Sequence, residues 1–170
     1  MMFKKVSPEN IKEFAAIVGD KFTFTDKEML EQNSKDYTED LRFYPEVVLQ
    51  PASANEISQI LKICNRDCIA VTPRGAGTGL SGGALPVYGG VVIAMNRLNR
   101  IISIDERNLQ ATVEPGVINQ VFQDAVMEKN LFYPPDPASR GSCFLGGNLA
   151  ESAGGPKAVK YGVTRDYVLN

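Results

Sequence analysis

The chain opens with apolar residues spaced three or four positions apart between Ser7 and Gly19. This spacing is typical of the buried face of a helix, with Ser7 as the N-cap, Pro8 at the first helical position and Gly19 at the end. We therefore predict a helix here. A shorter helix is predicted over residues 25–30, whereas residues 36–44 show no period and are predicted to cross the molecule irregularly.

A β-α-β unit is predicted from residue 47 onward. Residues 47–49 and 69–71 are short apolar runs, which indicate buried strands. Between them, Ser53 and Glu56 have the spacing of a capping box in front of a helical apolar stripe. Two strands joined by a helix are typical of a parallel pair, so we predict that these strands are neighbours with the helix on one face.

Three further strands are predicted after residue 90, at residues 91–95, 101–104 and 109–113. The first is continuously apolar, which indicates a buried strand, and the third alternates apolar and polar residues, which indicates a half-exposed one. Residues 105–108 are polar and predict a hairpin turn between the last two strands.

The last third of the chain is less regular. A helix is predicted from Ile118 to about Asn130, and residues 131–133 and 167–169 are predicted to be strands. The segment between them, residues 134–162, is rich in glycine and proline and has little periodicity. Together the elements predict a mixed α+β (α/β) fold.

Eleven of the fifteen glycines lie in two segments, and each segment follows a predicted strand. A glycine inside an element costs roughly 0.5–1 kcal/mol relative to alanine, so dense glycine marks backbone that bends sharply or is approached closely. Two such segments on one scaffold predict an extended ligand contacted by main chain at the strand ends. The glycines are Gly75, Gly77, Gly79, Gly82 and Gly83 in the first segment and Gly141, Gly146, Gly147, Gly154, Gly155 and Gly162 in the second.

The first segment, PRGAGTGLSGGA at residues 73–84, is predicted to be a loop whose consecutive backbone N–H groups converge on a phosphate. It lacks the Gly-Lys-Ser/Thr ending of a Walker A loop, and its G-x-G-x-x-G match opens no predicted helix, so neither motif accounts for it. Arg74 is placed to add positive charge, and the alternative is an ordinary exposed arginine. The alternative for the whole segment is a flexible connection.

Composition narrows the choice of ligand. The chain has 170 residues, 44% of them hydrophobic, which fits an ordinary globular protein, and a formal net charge of -2 with scattered basic residues. This charge pattern argues against nucleic acid and anionic membrane as partners and favours a small molecule. No apolar run reaches the length of a membrane span, and the start lacks the apolar core of a signal peptide, so we expect a cytoplasmic protein.

Cysteine and histidine content argues against a metal site. Three cysteines are too few for a disulfide framework, and with no histidine the usual zinc patterns cannot be assembled. We predict reduced thiols and no metal ligand. For Cys64 a core position on a helix is favoured over a ligand or redox role.

Six motifs, in this order, carry a resemblance over residues 36–170: VVLQPASANEISQILK, PRGAGTGLSGGA, VEPGV, YPPDPAS, GGNLAESAGG and KYGVTRDYVL. They resemble the FAD-binding domain of the vanillyl-alcohol oxidase-type (PCMH-type) flavoproteins. Within that family the sequence is most similar to the branch of the glycolate oxidase flavoprotein subunit, D-lactate dehydrogenase and D-2-hydroxyglutarate dehydrogenase.

The resemblance implies two small α/β subdomains with FAD bound between them. It divides the chain into an N-terminal helical segment, 1–35, and an FAD-binding domain, 36–170. Within the domain, the first subdomain covers about 36–105, and residues from about 106 to 170 are the start of the second. The residues implied in holding the diphosphate are Pro73, Arg74, Gly75, Ala76, Gly77, Thr78, Gly79, Ser81 and Gly82. Those implied along the ribityl chain and ring are Pro135, Asp136, Gly141, Ser142, Gly146, Asn148, Gly154 and Gly155.

For Asn148, contact with a ribityl hydroxyl or ring edge and a structural role as a helix or turn cap are equally weighted interpretations. Several relatives attach FAD through a histidine in or beside the first loop, and since this chain has none, noncovalent FAD is expected. Asn170 directly follows the predicted strand 167–169, which suggests a chain that ends inside a domain.

The resemblance also implies the chemistry. It points to an enzyme that oxidises a small 2-hydroxy acid of the glycolate or D-lactate class by hydride transfer to FAD, with possible partner subunits. The family's substrate domain would follow this chain, so we assign no catalytic residue. The alternative is a stand-alone FAD-binding or electron-transfer subunit, or a truncated product without activity.

Overall fold

The structure, a computed structural model, describes residues 3–38 and 40–169. Asn170, the residue at the expected interruption, lies outside them. Contacts divide the chain into two compact units, Met1–Arg97 and Leu98–Asn170. The boundaries predicted at 35/36 and near 105/106 stay predictions.

The first unit contains three helices and four strands among its described residues. In chain order these are α1 (Pro8–Val18), a 3-10 turn (Asp20–Phe22), β1 (Thr23–Phe24), α2 (Lys27–Gln32), β2 (Val47–Leu49), α3 (Ala54–Asp67), β3 (Val71–Arg74) and β4 (Val91–Ala94). The helices predicted near residues 7–19 and 25–30, and the irregular segment after them, are confirmed.

Local capping explains where α1 and α3 begin. The Ser7 hydroxyl accepts from the Asn10 N–H while the Asn10 side chain accepts from the Ser7 N–H, which satisfies two N–H groups at the start of α1. In α3 the predicted box is half correct. Ser53 accepts from the Glu56 N–H, but the Glu56 carboxylate accepts from the N–H of Ala52 instead of that of Ser53.

The strand order of the sheet is β1-β2-β4-β3. β4 pairs in parallel with both β2 and β3, and β1 runs antiparallel to β2. The prediction that β2 and β3 are neighbours is therefore wrong, because the continuously apolar β4 lies between them. β4 fits this central position since all four of its residues are buried.

β3 is displaced from the predicted strand at residues 69–71. It covers Val71–Arg74, and Ile69 makes only an isolated bridge with Lys4. β3 stands at the end of the strand order and contains Pro73, which has no N–H to contribute to a ladder. An edge position is where a strand tolerates proline.

Both faces of this sheet are covered by apolar side chains. On one face, Phe14 of α1 and Ile60 and Cys64 of α3 are buried against Val91. On the other, Val48, Val92 and Ala94 pack with Phe24 and Leu30. The predicted core position of Cys64 is confirmed, because its residue is 2% exposed.

The second unit begins with a two-stranded hairpin. In chain order its elements are β5 (Ile101–Asp105), β6 (Gln110–Val113), α4 (Asn119–Met127), α5 (Leu145–Ala150), α6 (Ala158–Tyr161) and a 3-10 turn (Thr164–Tyr167). The hairpin is confirmed, with the Asp105 carboxylate accepting from the N–H groups of Arg107 and Asn108 in the turn. The helix predicted from Ile118 is confirmed as α4.

Two predicted strands in this unit are wrong. Residues 131–133 form no strand, because the Leu131 N–H closes the end of α4 on the Val126 carbonyl and the Tyr133 carbonyl accepts from the Gln123 side chain. Residues 167–169 are the end of a 3-10 turn followed by irregular chain. Consequently the second glycine-rich segment does not follow a strand, and it contains two short helices, α5 and α6, that periodicity did not indicate.

Apolar residues of α4 and α5 form the core of the second unit. Val117, Phe122, Val126 and Leu145 are buried together, with the Phe122 and Tyr133 rings 4.9 Å apart in an edge-to-face arrangement. Among residues 3–38 and 40–169, no helix has both the length and the apolar character needed to cross a membrane.

Candidate flavin-binding site

The first glycine loop, residues 75–90, leaves the carboxyl end of β3 and returns to β4. Pro73 and Arg74 are the last residues of β3, and the remaining residues predicted to hold a diphosphate lie in the loop. Of these, only Gly77 is buried; those at least partly exposed are Gly75, Ala76, Thr78, Gly79, Ser81 and Gly82.

The first glycine loop contains a run of backbone N–H groups without a backbone partner among the described residues. None of the N–H groups of residues 76–80 donates to a backbone carbonyl of another residue that the structure describes. Successive unpaired N–H groups form a concave site for an anion, because each contributes a partial positive charge. Binding of a phosphate by this loop stays a prediction.

Gly77 and Gly79 differ in what surrounds them. Gly77 has a φ of +71°, and a Cβ built on it would lie 2.2 Å from Nη2 of Arg74. A Cβ built on Gly79 meets no described protein atom within 4 Å. Gly77 is thus required by the protein's own packing, whereas the space at Gly79 is open to a ligand.

The buried side chain of Arg74 packs against the first glycine loop. It is 7% exposed, and its guanidinium donates to the carbonyls of Lys35 at 2.7 Å, Ala84 at 3.3 Å and Gln32 at 3.5 Å. Burial lowers the pKa of Arg74, and the nearby Asp36 carboxylate opposes that shift. The alternative of an exposed arginine is wrong. Contact of Arg74 with a phosphate stays a prediction, since its charge lies against Gly77 but several of its donors are already used.

The segment 32–38 packs against this loop, which the sequence did not indicate. The Tyr37 N–H donates to the Gly79 carbonyl at 3.1 Å. Two buried side-chain oxygens of the same segment, Asp36 Oδ2 and Thr38 Oγ1, have no hydrogen-bond partner among the described residues. No motif marks this segment, because its contacts are made mainly through backbone carbonyls and N–H groups, which every sequence has.

In the second unit, most of the residues predicted to line the flavin lie on three pieces of chain. Pro135 and Asp136 are in the irregular stretch after α4, Gly141 and Ser142 are in the turn before α5, and Gly146 and Asn148 are in α5. Gly154 and Gly155 follow α5. Exposure varies: Gly141, Ser142 and Gly155 are exposed, whereas Pro135, Asp136 and Asn148 are buried.

Asn148 has a structural partner. Its Nδ2 donates to Oδ1 of Asn119 at 3.0 Å, and Nδ2 of Asn119 donates to the Pro135 carbonyl at 3.1 Å. Gln123 also donates to the Pro135 carbonyl, at 2.9 Å. Asn148 therefore joins α5 to α4, which favours the structural interpretation over direct contact with a ribityl hydroxyl. Sequence reasoning missed Asn119 and Gln123, although two amides within an apolar helical stripe were a usable signal.

Asp136 is a buried carboxylate whose two oxygens have different surroundings. Its Oδ2 lies 2.9 Å from Nζ of Lys157, while its Oδ1 is buried without a hydrogen-bond partner among the described residues. Gly155 packs directly on this residue: a Cβ there would lie 2.3 Å from the Asp136 carbonyl oxygen, and its φ is +136°. Lys157 was not predicted, and its separation of 21 positions from Asp136 offers no sequence signal.

The glycines before and in α5 serve two different purposes. A Cβ on Gly146 would lie 2.6 Å from Cβ of Pro115, so this glycine permits close packing of α5 on the chain before α4. Cβ atoms built on Gly141 and Gly147 meet no described protein atom within 4 Å. The Ser142 hydroxyl, beside Gly141, donates to the Ser139 carbonyl at 3.2 Å. Residues 141–147 therefore include open positions that a ligand can approach.

The comparisons with known proteins agree with this arrangement. The family described as the FAD binding domain matches residues 45–170. The chain belongs to this FAD-binding domain family, and the resemblance to vanillyl-alcohol oxidase-type flavoproteins is confirmed. FAD is accordingly the cofactor of the site.

Curated relatives are named as a glycolate oxidase subunit and as dehydrogenases. The chain is 48% identical over 136 residues to the glycolate oxidase subunit GlcD of Bacillus subtilis (strain 168), covering 80% of this chain and 29% of that protein. It is 40% identical over 172 residues to D-lactate dehydrogenase of Anaerostipes hadrus, covering 98% and 35%. The mitochondrial D-2-hydroxyglutarate dehydrogenase of Arabidopsis thaliana is 33% identical, with 99% and 30% covered. The chain thus spans about a third of the length of these relatives.

Solved structures confirm the fold. Alkyldihydroxyacetonephosphate synthase superposes with a TM-score of 0.87 at 22% identity, covering 99% of this chain and 33% of that one. For p-cresol methylhydroxylase the TM-score is 0.76 at 25% identity, covering 89% and 31%. The predicted α+β, PCMH-type fold is confirmed by these neighbours.

Proposed function

We propose that this chain is the FAD-binding part of a flavin-dependent oxidoreductase that oxidises a small 2-hydroxy acid of the glycolate or D-lactate class. The observation that carries the proposal is the first glycine loop, where the N–H groups of residues 76–80 donate to no backbone carbonyl among the described residues and a Cβ on Gly79 would meet no described protein atom within 4 Å. The substrate class is supported by the relatives, which are named for glycolate, D-lactate and D-2-hydroxyglutarate.

In this proposal the chain holds and orients the cofactor. The N–H groups of residues 76–80 bind the diphosphate, and the buried guanidinium of Arg74 keeps the loop in its curved form while its positive charge favours the anion. When bound, FAD supplies the hydride acceptor of the reaction. In the second unit, the open positions at Gly141 and Gly147 are the proposed contacts for the remainder of the cofactor.

We further propose that FAD is held without a covalent bond. Histidine is absent from the sequence, so the histidyl linkage of some relatives has no counterpart among its 170 residues. Denaturing the holoprotein is therefore expected to release all of the flavin into the supernatant after acid precipitation. Flavin that remains with the precipitate would refute this part of the proposal.

Catalytic groups are not assigned to this chain. Oxidising a 2-hydroxy acid needs a base for the hydroxyl proton and a cation for the carboxylate. Within residues 3–38 and 40–169, no group of three or more His, Cys, Asp or Glu side chains is placed to hold a metal ion. A cytoplasmic location, and a small molecule as the partner in preference to nucleic acid, remain parts of the proposal.

The test is anaerobic reduction of the flavin. The purified protein, in its full natural length, is loaded with FAD and mixed with glycolate, D-lactate or L-lactate while the oxidised flavin absorbance is followed. Bleaching by glycolate or D-lactate but not L-lactate supports the proposal. A protein that binds FAD but is bleached by none of these acids would instead be an FAD-binding or electron-transfer subunit.

A further inference from the structure

Asn119 connects the three pieces of chain that carry the predicted flavin contacts in the second unit. It is the first residue of α4 and is 0% exposed. No motif of the resemblance contains it, and its side chain contacts other protein groups at both ends.

The first connection runs to the stretch after α4. Nδ2 of Asn119 donates to the Pro135 carbonyl at 3.1 Å, which fixes the backbone immediately before Asp136. The second runs to α5, because Oδ1 of Asn119 accepts from Nδ2 of Asn148 at 3.0 Å. A buried amide whose two ends are both bonded tolerates little displacement, since losing either partner leaves a polar group unsatisfied.

The third connection runs to the turn before α5. No side chain caps the N-terminus of α4; instead, the Asn119 N–H donates to the Cys143 carbonyl at 3.0 Å and the Gln120 N–H donates to the Arg140 carbonyl at 2.9 Å. These bonds satisfy two of the N–H groups that a helix start leaves unpaired. They also hold residues 140–143, which include Gly141 and Ser142, against the start of α4.

We infer that Asn119 is a positioning residue for FAD: its side chain sets the placement of Pro135-Asp136 relative to α5, while its backbone N–H, with that of Gln120, holds the 140–143 turn. This inference rests on the proposed function, because it concerns the geometry of the same cofactor site. Asn119 touches no ligand itself in this role. Its effect reaches FAD through the backbone and side chains that it holds.

The test compares FAD affinity with stability. In Asn119→Leu, which is close in size, both amide bonds are lost, and in Asn119→Ala the same two bonds are lost and no larger side chain is introduced. Val126→Ala is the matched control, because Val126 is a buried residue of α4 that shares an apolar cluster with Leu145 of α5 but has no side-chain group that can hydrogen-bond. Each purified protein, in its full natural length, is titrated with FAD by flavin fluorescence at a temperature where circular dichroism shows it folded, and its urea midpoint is measured without FAD.

We expect Asn119→Leu to raise the Kd for FAD at least tenfold and to alter the vibrational fine structure of the bound flavin absorbance. Asn119→Ala is expected to weaken binding to a similar extent, since it loses the same two bonds. Val126→Ala is expected to lower the urea midpoint but to leave the Kd within twofold and the flavin spectrum unchanged. Should Asn119→Leu fail to fold, Asn119→Ala decides the question with the same two measurements.

The inference is overturned if both Asn119 variants bind FAD within twofold of the wild type, or if Val126→Ala weakens binding as much as they do at an equal loss of urea midpoint. The second result would mean that Asn119 acts only on stability. A wild-type protein that binds no FAD would overturn the proposed function itself, and this outcome is seen before any variant is compared.

Discussion

Replacing Gly77 and Gly79 separately by alanine tests the interpretation of the first glycine loop. The two positions are two residues apart, yet a Cβ at Gly77 would lie 2.2 Å from Nη2 of Arg74 and a Cβ at Gly79 would meet no described protein atom within 4 Å. We therefore expect Gly77→Ala to lower the stability of the fold and Gly79→Ala to lower only the affinity for FAD.

The cost of Gly77→Ala has two sources. Placing alanine at a φ of +71° costs about 1–2 kcal/mol. The new methyl group also displaces the guanidinium from the Lys35 carbonyl, and a hydrogen bond to a charged group contributes about 1.5–3 kcal/mol. Together these amount to about 2.5–5 kcal/mol, a large share of the roughly 5–15 kcal/mol that stabilises a typical domain.

The assay is thermal unfolding without FAD, followed by FAD titration. Gly77→Ala is expected to lower Tm by about 5 °C or more, since 1 kcal/mol corresponds to about 2–4 °C in a domain of about 150–250 residues. Gly79→Ala is expected to change stability by no more than about 0.5 kcal/mol. Its methyl group occupies the space proposed for the diphosphate, so its Kd for FAD should rise at least about tenfold, or about 1.4 kcal/mol.

Two results would refute this reasoning. An unchanged Tm in Gly77→Ala would show that Arg74 does not occupy the space beneath Gly77. Wild-type FAD affinity in Gly79→Ala would show that the diphosphate is not bound at that face of the loop. Gly89→Ala serves as a control for positive φ, because Gly89 has a φ of +68° and an added Cβ would lie no nearer than 3.7 Å to its described neighbours.

Three further predictions concern titratable groups. Hydrogen bonds from Arg66 lower the pKa of Asp67 from 3.8 to about 2. The contribution of Asp67 to stability is therefore present above pH 3.8 and is lost as the pH falls towards 2. In Asp67→Asn the urea midpoint should depend less on pH over that interval. Burial raises the pKa of Tyr133 from 10.0 to about 12. The contribution of the neutral Tyr133 side chain to stability is therefore present below pH 10 and is lost as the pH rises towards 12. Tyr133→Phe should reduce this loss. Burial also raises the pKa of Cys64 to about 11, so half-buried Cys68 should react with a thiol reagent before Cys64, as measured by mass spectrometry of labelled peptides.

Each of these predictions has a contradicting outcome. Acid profiles of the wild type and Asp67→Asn that remain parallel between pH 3.8 and 2 would show that Asp67 is not stabilised by its partners. An absorbance titration in which every tyrosine ionises near pH 10 would contradict the burial of Tyr133. Labelling of Cys64 as rapid as that of Cys68 would contradict its core position.

The features that the sequence predicted correctly depend on neighbouring residues. Ser7 and Asn10 begin α1 within one turn, Asp105 closes its hairpin within three positions, and the buried β4 is a continuous apolar run. The helix start and the hairpin turn are dictated locally, because the interacting groups are close along the chain. For β4 the run of apolar residues is itself the signal of a buried strand. The position of the first glycine loop at the end of a strand was predictable for the same reason.

Predictions failed where the partner of a residue is distant in sequence. Residues 131–133 have the composition of a strand, but Gln123 and the end of α4 take their backbone groups, and no pattern within three residues carries that information. Likewise, the β-α-β pattern predicts that β2 and β3 are neighbours, but β4 lies between them. Nothing in such a pattern tells which later strand will be inserted.

By itself, the sequence determined that this chain has capped helices, buried strands and a glycine-rich loop at the end of a strand, and its ordered motifs pointed to the flavoprotein family. Only the tertiary structure decided why individual glycines are there: Gly77 makes room for Arg74 and Gly146 for Pro115, whereas Gly79 and Gly141 face open space. Only the fold, likewise, revealed Asn119. Close packing and buried hydrogen bonds join residues far apart along the chain, and a linear pattern records composition and spacing but not which distant atoms meet.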